Sequence, residues 1–502
     1  MTALEFFGGV GEIGGTKIAL EDGGRRVLLD FGMSYARRKL FYEEYLQPRA
    51  GAGLNDFLAM GIVPPLEGVY RPDLEPPGLW ERYRGAPGYR RVERLDAVLL
   101  SHAHADHVGH VSLLRHDVPV HATALSAAVC RSNQETAAAG MEQEIVSIAP
   151  RSLRKPKGWE QEALLSERGG PRIERRFVTA DAAGPTDLPF EARCFPVDHS
   201  IRGACAWALK TSAGWVVYSG DLRRHGVRGE DTRRFVEAAA RLRPRALLLE
   251  GTNARSTKRV SEADVQERAF DAVRSATGLV VADFSARDTD RLACFLGAAR
   301  AAGRKLVILP KDAHLLEAIR TVDPAAPDPG SDQDLVIYQK TTSAPAVWMQ
   351  QLCGEHRARL CSAADVARNQ DGMVLCFSFF DVNELAAIRP APGSLWISST
   401  SEPHDEEQEI DLRRLRNWLG HYGFRSLGLP VPRGEDLEIP EAERGLHASG
   451  HAYPEDLLEI ARTIAPALLV PVHTEHPELY IEGLRGSGIE VKVIELFGRI
   501  EL

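Results

Sequence analysis

No stretch of the chain approaches the roughly 20 uninterrupted apolar residues that a bilayer-spanning helix needs, and the first ten residues lack a basic segment leading into an apolar run. The sequence therefore implies no membrane association and reads as intracellular and cytoplasmic. Cysteine is sparse: Cys130, Cys194, Cys205, Cys294, Cys353, Cys361 and Cys376 are odd in number, scattered, and never spaced C-x-x-C. That pattern argues against a disulfide scaffold and a zinc ribbon. Excess positive charge is lacking too, since 61 Lys+Arg stand against 70 Asp+Glu for a formal charge of −9. That argues against general affinity for phosphate backbones. A nucleic-acid channel needs only local positive potential, however. Residues 151–176 carry Arg151, Arg154, Lys155, Lys157, Arg168, Arg172, Arg175 and Arg176 against Glu160, Glu162, Glu167 and Glu174, and are a candidate for that field. An acidic cluster, Glu402, Asp405, Glu406, Glu407, Glu409 and Asp411, lies elsewhere.

What is present is the composition of a globular protein: 502 residues, 44% hydrophobic, enough for about two to four domains. Short Val-, Leu- and Ile-rich runs recur at 26–30, 96–100, 215–218, 246–249, 279–281, 306–309, 335–338, 373–377, 468–470 and 491–496. Such runs suit strands buried on both faces. Helical segments alternate with them. Ser261 with Asp264 three residues on marks a helix start running to about residue 276, and Pro454-Glu455-Asp456 opens another to about residue 464. The alternation predicts an α/β protein. Residues 35–94 and 134–189, rich in Pro, Gly and charge, read as insertions or long loops rather than core.

Gly9-x-Gly11-x-x-Gly14 matches a dinucleotide fingerprint as a string, but residues 16–20 read as a strand rather than the required helix, so a glycine-rich hairpin turn is the better reading. Asp30-Phe31-Gly32 lacks the companion motifs of a kinase. The informative motif is His102-x-His104-x-Asp106-His107, directly after the apolar run at 95–100. Imidazoles and a carboxylate in a turn after a buried strand can converge on zinc or a similar divalent ion. One motif does not complete two coordination spheres. His199, Asp221 and His473 each follow a further apolar run and together fit a two-metal centre.

With these residues in view the sequence resembles the metallo-β-lactamase superfamily, in its β-CASP RNA-processing branch, and is similar to the ribonuclease J family. The resemblance runs from Gly8-Gly9-Val10-Gly11-Glu12-Ile13-Gly14 through Asp30 and the histidine cluster to His199, Asp221, Glu250-Gly251-Thr252-Asn253, Ser449-Gly450-His451 and Pro471-Val472-His473-Thr474-Glu475. It covers nearly the whole chain, with the identities concentrated in these islands. It implies an α/β fold, a metallo-β-lactamase αββα sandwich (1–253 and 432–502) interrupted by an inserted α/β β-CASP domain (254–431). It also implies one metal on His102, His104 and His199 and another on Asp106, His107 and His473, with Asp221 bridging and Asp30 orienting the ligands from outside. The cofactors implied are two divalent ions, Zn2+ first, with Mn2+ or Mg2+ as alternatives.

The function implied is a metal-dependent ribonuclease, exo- and/or endonucleolytic, acting on single-stranded RNA as its partner. A hydroxide bridging the two ions would attack, leaving 5′-phosphate and 3′-hydroxyl ends. Asp106 would hold or accept its proton, His451 would be the general acid, Glu250 would orient this machinery, and the Ser449-Gly450 turn would let a phosphate approach. Arg287 and Arg291 could contact phosphates or be solvated helix arginines. His110, His447 and His476 read as supporting or surface residues. The family's Gly- and Ser-rich phosphate-binding stretch is replaced here by residues 376–384, so recognition of a 5′-terminal phosphate does not carry over. Family members also carry a further C-terminal domain, whereas this chain ends at Leu502; a homo-oligomer that needs that domain does not carry over either. The alternatives are a small-molecule thioester or lactone hydrolase of the same fold, which should lack the insertion and the Ser449-Gly450-His451 element, and a DNA-directed β-CASP nuclease, against which His473 speaks. A non-catalytic RNA-binding subunit is disfavoured because every expected ligand is present.

Overall fold

A computed structural model describes all residues except 44, 168, 181–186, 402–405 and 434–435; Arg168, Glu402 and Asp405 thus lie outside the described residues. Two sheets face each other. The first has seven strands in the order Phe177–Thr179, Val120–Ala122, Ala97–Leu99, Arg25–Leu29, Lys17–Asp22, Thr2–Gly8 and Arg499–Glu501. The second has six: Glu191–Pro196, Cys205–Thr211, Gly214–Tyr218, Ala246–Leu249, Leu468–Pro471 and Glu490–Val491. The predicted run at 491–496 thus contributes strand only at its start.

The double-sided burial expected of these runs is what builds the layers. Val27 and Leu29 point into the space between the sheets, where they meet Trp207, Leu209, Val216 and Leu248, whereas Leu28 and Val98 point outward into a second core. Two-residue alternation puts successive side chains on opposite faces, so an unbroken apolar run feeds two cores at once. Helices Gly229–Leu242 and Pro454–Ile464 cover the outer face of the second sheet through Phe235, Val236, Leu457 and Ile460. The result is an αββα sandwich.

Residues 35–94 correct the reading of that segment as loop. Leu54, Phe57 and Leu74 are fully buried and belong to the core over the outer face of the first sheet, with Tyr70 stacked on Trp80 at 6.1 Å between ring centroids. Proline and glycine break the periodicity that would have revealed them, while the apolar side chains still pack. Residues 134–189 are mixed. An exposed hairpin pairs Arg151–Arg154 with Ala163–Ser166, whereas Phe177–Thr179 joins the first sheet in parallel beside Val120–Ala122.

A third sheet, wholly parallel, lies within residues 280–427: Leu360–Cys361, Leu335–Tyr338, Lys305–Ile308, Met373–Cys376, Val280–Asp283, Leu395–Ser398 and Arg425–Leu427. Helices cover both faces, with separate cores on each. Helix Glu262–Ser275 opens with the capping box read from the sequence: the Ser261 hydroxyl accepts from the Asp264 N–H at 3.2 Å and the Asp264 carboxylate accepts from the Ser261 N–H at 2.7 Å. Among the described residues no helix is long and apolar enough to cross a membrane.

Candidate metal centre

Strand Ala97–Leu99 ends in an irregular segment that carries Ser101, His102 and His104, then turns into the short helix Ala105–Val108 bearing Asp106 and His107. The change from extended chain to first helical turn aims all four metal-ligand candidates of the motif to one side. The glycine turn between strands Thr2–Gly8 and Lys17–Asp22 is the predicted hairpin. It packs under the motif: a Cβ on Gly14, which has φ +78°, would sit 2.8 Å from Asp106 Cβ, and Gly9 O accepts from the His473 N–H at 2.7 Å.

The seven candidates converge in two groups. Nδ1 of His104 lies 3.1 Å from Nε2 of His102 and 3.1 Å from Nε2 of His199. In the other group, Nε2 of His107 is 3.1 Å from Asp221 Oδ2 and Nε2 of His473 is 3.1 Å from Asp106 Oδ2. Asp221 Oδ2 lies between them, 3.7 Å from His102 Nε2, 3.9 Å from His199 Nε2 and 3.7 Å from His473 Nε2. Donor atoms within each group all lie within 4.8 Å of one another.

The chemistry of this set fits a divalent cation. Three imidazole nitrogens face one another with no carboxylate in their group, and among the described residues the buried Oδ1 of Asp221 has no hydrogen-bond partner. Burial holds His104 down to about 4, and burial followed by neighbouring histidines holds His102 and His199 well below the ordinary range, leaving them in the neutral form that ligates. Burial opposes the charged forms of His107 and Asp221 as well, but their mutual attraction, with Asp106 acting on His107, raises the histidine and lowers the aspartate.

A surrounding set of polar groups fixes the rings. Asp30, fully buried, accepts from the Ser101 N–H at 2.7 Å, the Ser101 hydroxyl at 2.6 Å and the Tyr218 hydroxyl at 2.6 Å, and faces His107 Nδ1 at 2.7 Å. The remaining nitrogen of His107 is thereby turned into the cluster. His199 is held from behind by the carbonyl of Gly450 at 2.6 Å, and His473 by the hydroxyl of Thr252 at 2.8 Å. Ser101, Tyr218 and Thr252 escaped the sequence reading. Ser101 adjoins the motif and Thr252 lies in the Glu250-Gly251-Thr252-Asn253 island, but only folding shows what they touch.

His451 lies at the rim, its Nδ1 3.2 Å from both oxygens of the fully buried Glu250 and 3.9 Å from Asp221 Oδ2. Burial opposes its charge, yet Glu250 and then Asp221 outweigh burial and raise it to about 9. Ser449 and Gly450 have internal partners. The Ser449 hydroxyl accepts from Asn253 Nδ2 at 2.8 Å and from the His451 N–H at 3.2 Å, and the Gly450 carbonyl faces His199. His110, His447 and His476 do not enter the cluster: His110 is buried against Phe57, His447 faces the Ser399 carbonyl, and His476 faces Glu478. Arg291 is a buried partner of Glu262 and is unavailable to a phosphate, whereas Arg287 is exposed and its charge acts on His104 and Tyr35.

Fold and site together define an αββα sandwich of the metallo-β-lactamase type with a candidate divalent-metal site. A family described as "Beta-lactamase superfamily domain" matches residues 73–278, and one described as "Zn-dependent metallo-hydrolase RNA specificity domain" matches residues 440–493. The chain is 23% identical over 405 residues to "Ribonuclease J" of Mycolicibacterium smegmatis, covering 76% of this chain and 59% of that protein. It is 25% identical over 408 residues to "Ribonuclease J" of Mycobacterium tuberculosis, with the same coverages of 76% and 59%. "Ribonuclease J2" of Bacillus subtilis is 24% identical over 396 residues, covering 77% and 60%. The chain thus spans about three fifths of the length of these relatives. A crystal structure titled as a protein of unknown function from Enterococcus faecalis V583 matches in fold with a TM-score of 0.70 at 19% identity, covering 100% of both chains. The chain thus matches a beta-lactamase superfamily domain and a Zn-dependent metallo-hydrolase RNA specificity domain, and is similar over 76% of its length to proteins named ribonuclease J.

Proposed function

We propose that this chain is a metal-dependent ribonuclease that hydrolyses phosphodiester bonds of single-stranded RNA, leaving 5′-phosphate and 3′-hydroxyl ends. The observation that carries the reading is the pair of ligand groups meeting at Asp221, with the His451–Glu250 pair at their rim. Residues 1–253 and 432–502 would form the metal-binding domain, and residues 254–431 the inserted one.

His102, His104 and His199 would hold one divalent ion, zinc by the description of the matching domain, and Asp106, His107 and His473 a second, with Asp221 shared. Bound there, such ions supply charge stabilisation for a phosphodiester and an acidified water. The chain's own groups do the rest. Asp106, braced by His473 and by the glycine turn, takes the proton of the attacking water. As the oxygen–phosphorus bond forms, the bond from phosphorus to the 3′ oxygen breaks. His451, its Nδ1 on Glu250 and its ring partly exposed, gives a proton to that leaving oxygen through Nε2. Asp30 keeps His107 turned inward throughout.

The test is incubation of the purified chain with end-labelled single-stranded RNA, single-stranded DNA and duplexes, with and without chelator. RNA cleavage should stop on chelation and in His107→Ala. His451→Ala should slow it about 10²–10⁴-fold with metal content unchanged. Cleavage that survives both chelation and His107→Ala would overturn the reading, as would intact RNA beside a hydrolysed thioester. Loss of metal in His451→Ala would make that residue a ligand instead.

A further inference from the structure

Open parallel sheets bind ligands beyond the carboxyl ends of their strands, where successive crossovers run in opposite directions. In the inserted sheet that reversal falls between Val280–Asp283 and Met373–Cys376. The chain leaves the first of these toward Lys305–Ile308 on one side, and leaves the second toward Leu395–Ser398 on the other. A cavity of about 440 Å³ opens there, within the size range of small-molecule sites.

Its lining is acidic and aromatic. Asp283, Asp312 and Asp381 face it together with Phe377 and Phe379, and Phe380 stands 81% exposed. Lys340 and the Ser378 N–H occupy Asp381. Asp283 and Asp312 are different. Asp283 is 8% exposed and its carboxylate makes no hydrogen bond among the described residues; Asp312 is 4% exposed, its Oδ2 accepting from the Leu309 N–H at 2.8 Å while its buried Oδ1 has no partner. Burial, and for Asp283 then the neighbouring Asp381, pushes both up to about 7; for Asp312 burial outweighs the hydrogen bond from the Leu309 N–H.

The chemistry narrows the ligand. Four aspartates line it, Asp411 included, and disfavour a phosphate. Nor do they gather as a metal cluster does: among the described residues the close groups of potential ligands all belong to the centre already described. What fits is a flat neutral ring that stacks on phenylalanine and offers hydrogen-bond donors. Guanine presents two adjacent donors, N1–H and the N2 amino group, on one edge, which one carboxylate accepts together. On the same edge adenine and cytosine pair a single amino donor with an acceptor nitrogen, and uracil flanks its one N–H with carbonyls. The location ties the cavity to the metal centre, since Phe284, Ser285 and Ala286 line it and the next residue is Arg287, whose charge reaches His104.

We propose that this cavity holds an unpaired guanine of the RNA, with Asp283 and Asp312 accepting from its Watson–Crick edge and Phe380 stacking on its face. The proposal rests on the RNA-directed reading above and adds a base preference close to the cleaved bond.

Titration calorimetry of the full chain in chelator, with guanosine, adenosine, uridine, inorganic phosphate and spermidine in turn, tests it without reference to cleavage. Guanosine should bind about ten-fold or more tighter than adenosine or uridine. Asp283→Asn and Phe380→Ala should each weaken it about five-fold or more, the second at an exposed position where folding is not at stake. Equal affinity for the three nucleosides overturns the proposal, as does no guanosine binding at millimolar concentration, binding of phosphate or spermidine in its place, or unchanged affinity in both variants. Guanosine binding in a chain that cleaves no RNA keeps the cavity assignment and removes the nuclease reading. Cleavage without guanosine binding does the reverse.

Discussion

Asp30 carries more of the site than its distance from the reacting atoms suggests. One carboxylate takes four contacts, from Ser101 twice, Tyr218 and His107, and the backbone adopts φ 57° to deliver it. Asparagine tolerates that conformation and keeps the shape but withdraws the charge and half the acceptors. Asp30→Asn should therefore weaken metal affinity about 10–100-fold and lower stability by about 1–3 kcal/mol from the unpaired buried donors. Metal analysis after dialysis and chemical denaturation check the two effects separately. At this scale the sequence was legible where chemistry is local. The spacing of His102, His104, Asp106 and His107 names itself, whereas Ser101 and Tyr218 are ordinary residues until a fold sets them against Asp30.

Between elements, the join of the sandwich to the inserted sheet is a buried ion network. Glu262, in the first turn of its helix, accepts from Nη1 of Arg223 at 2.8 Å and from Nη2 of Arg291 at 2.8 and 2.9 Å, and Arg223 also reaches Asp198. Both arginine side chains are essentially unexposed. Glu262→Ala leaves two guanidiniums buried without their carboxylate and should cost about 3–5 kcal/mol, read by denaturant unfolding. Arg291 had been a candidate phosphate contact because helix periodicity says which face a residue occupies, not what faces it. Strand ends supply the pH-sensitive term. Asp283 is held at about 7 in the folded chain against an ordinary 3.8, burial being the first cause and Asp381 the second. The folded state keeps a proton that the unfolded state gives up, so this contribution is full below about pH 4 and is lost as pH rises to about 7. Asp283→Asn should match the unsubstituted chain in melting temperature near pH 4 and exceed it increasingly up to about pH 7, levelling off above. A constant difference across that range would contradict the assignment.

For the molecule as a whole, the charge of −9 is not spread evenly over its functional surfaces. The basic stretch at 151–176 is largely spent on structure: Arg151 pairs with Glu144, Arg175 is buried against the carbonyls of Ile145, Leu114 and Arg115, and Arg176 pairs with Asp187. Arg287 instead is exposed and makes no side-chain hydrogen bond or ion pair among the described residues, with its charge directed at the metal centre. Arg287→Ala should weaken binding to single-stranded RNA of any sequence and reduce the slope of log affinity against log salt by about 1, measured by fluorescence anisotropy, with metal content unaltered.

The sequence by itself determined the α/β character, the strand positions, the capped helix at Glu262–Ser275 and the residue types of the metal cluster. Each of these is written in patterns a few residues long, such as apolar runs, capping pairs and a dense histidine motif. Only the tertiary structure decided that residues 35–94 are core and that Ser101 and Tyr218 stand against Asp30. It alone decided that Arg291 is locked away while Arg287 is not, and that Asp283 and the unpartnered Oδ1 of Asp312 share an aromatic cavity. Those outcomes depend on contacts between segments tens to hundreds of residues apart. Packing chooses such contacts by shape and by the need to satisfy buried polar groups, and no local pattern encodes them.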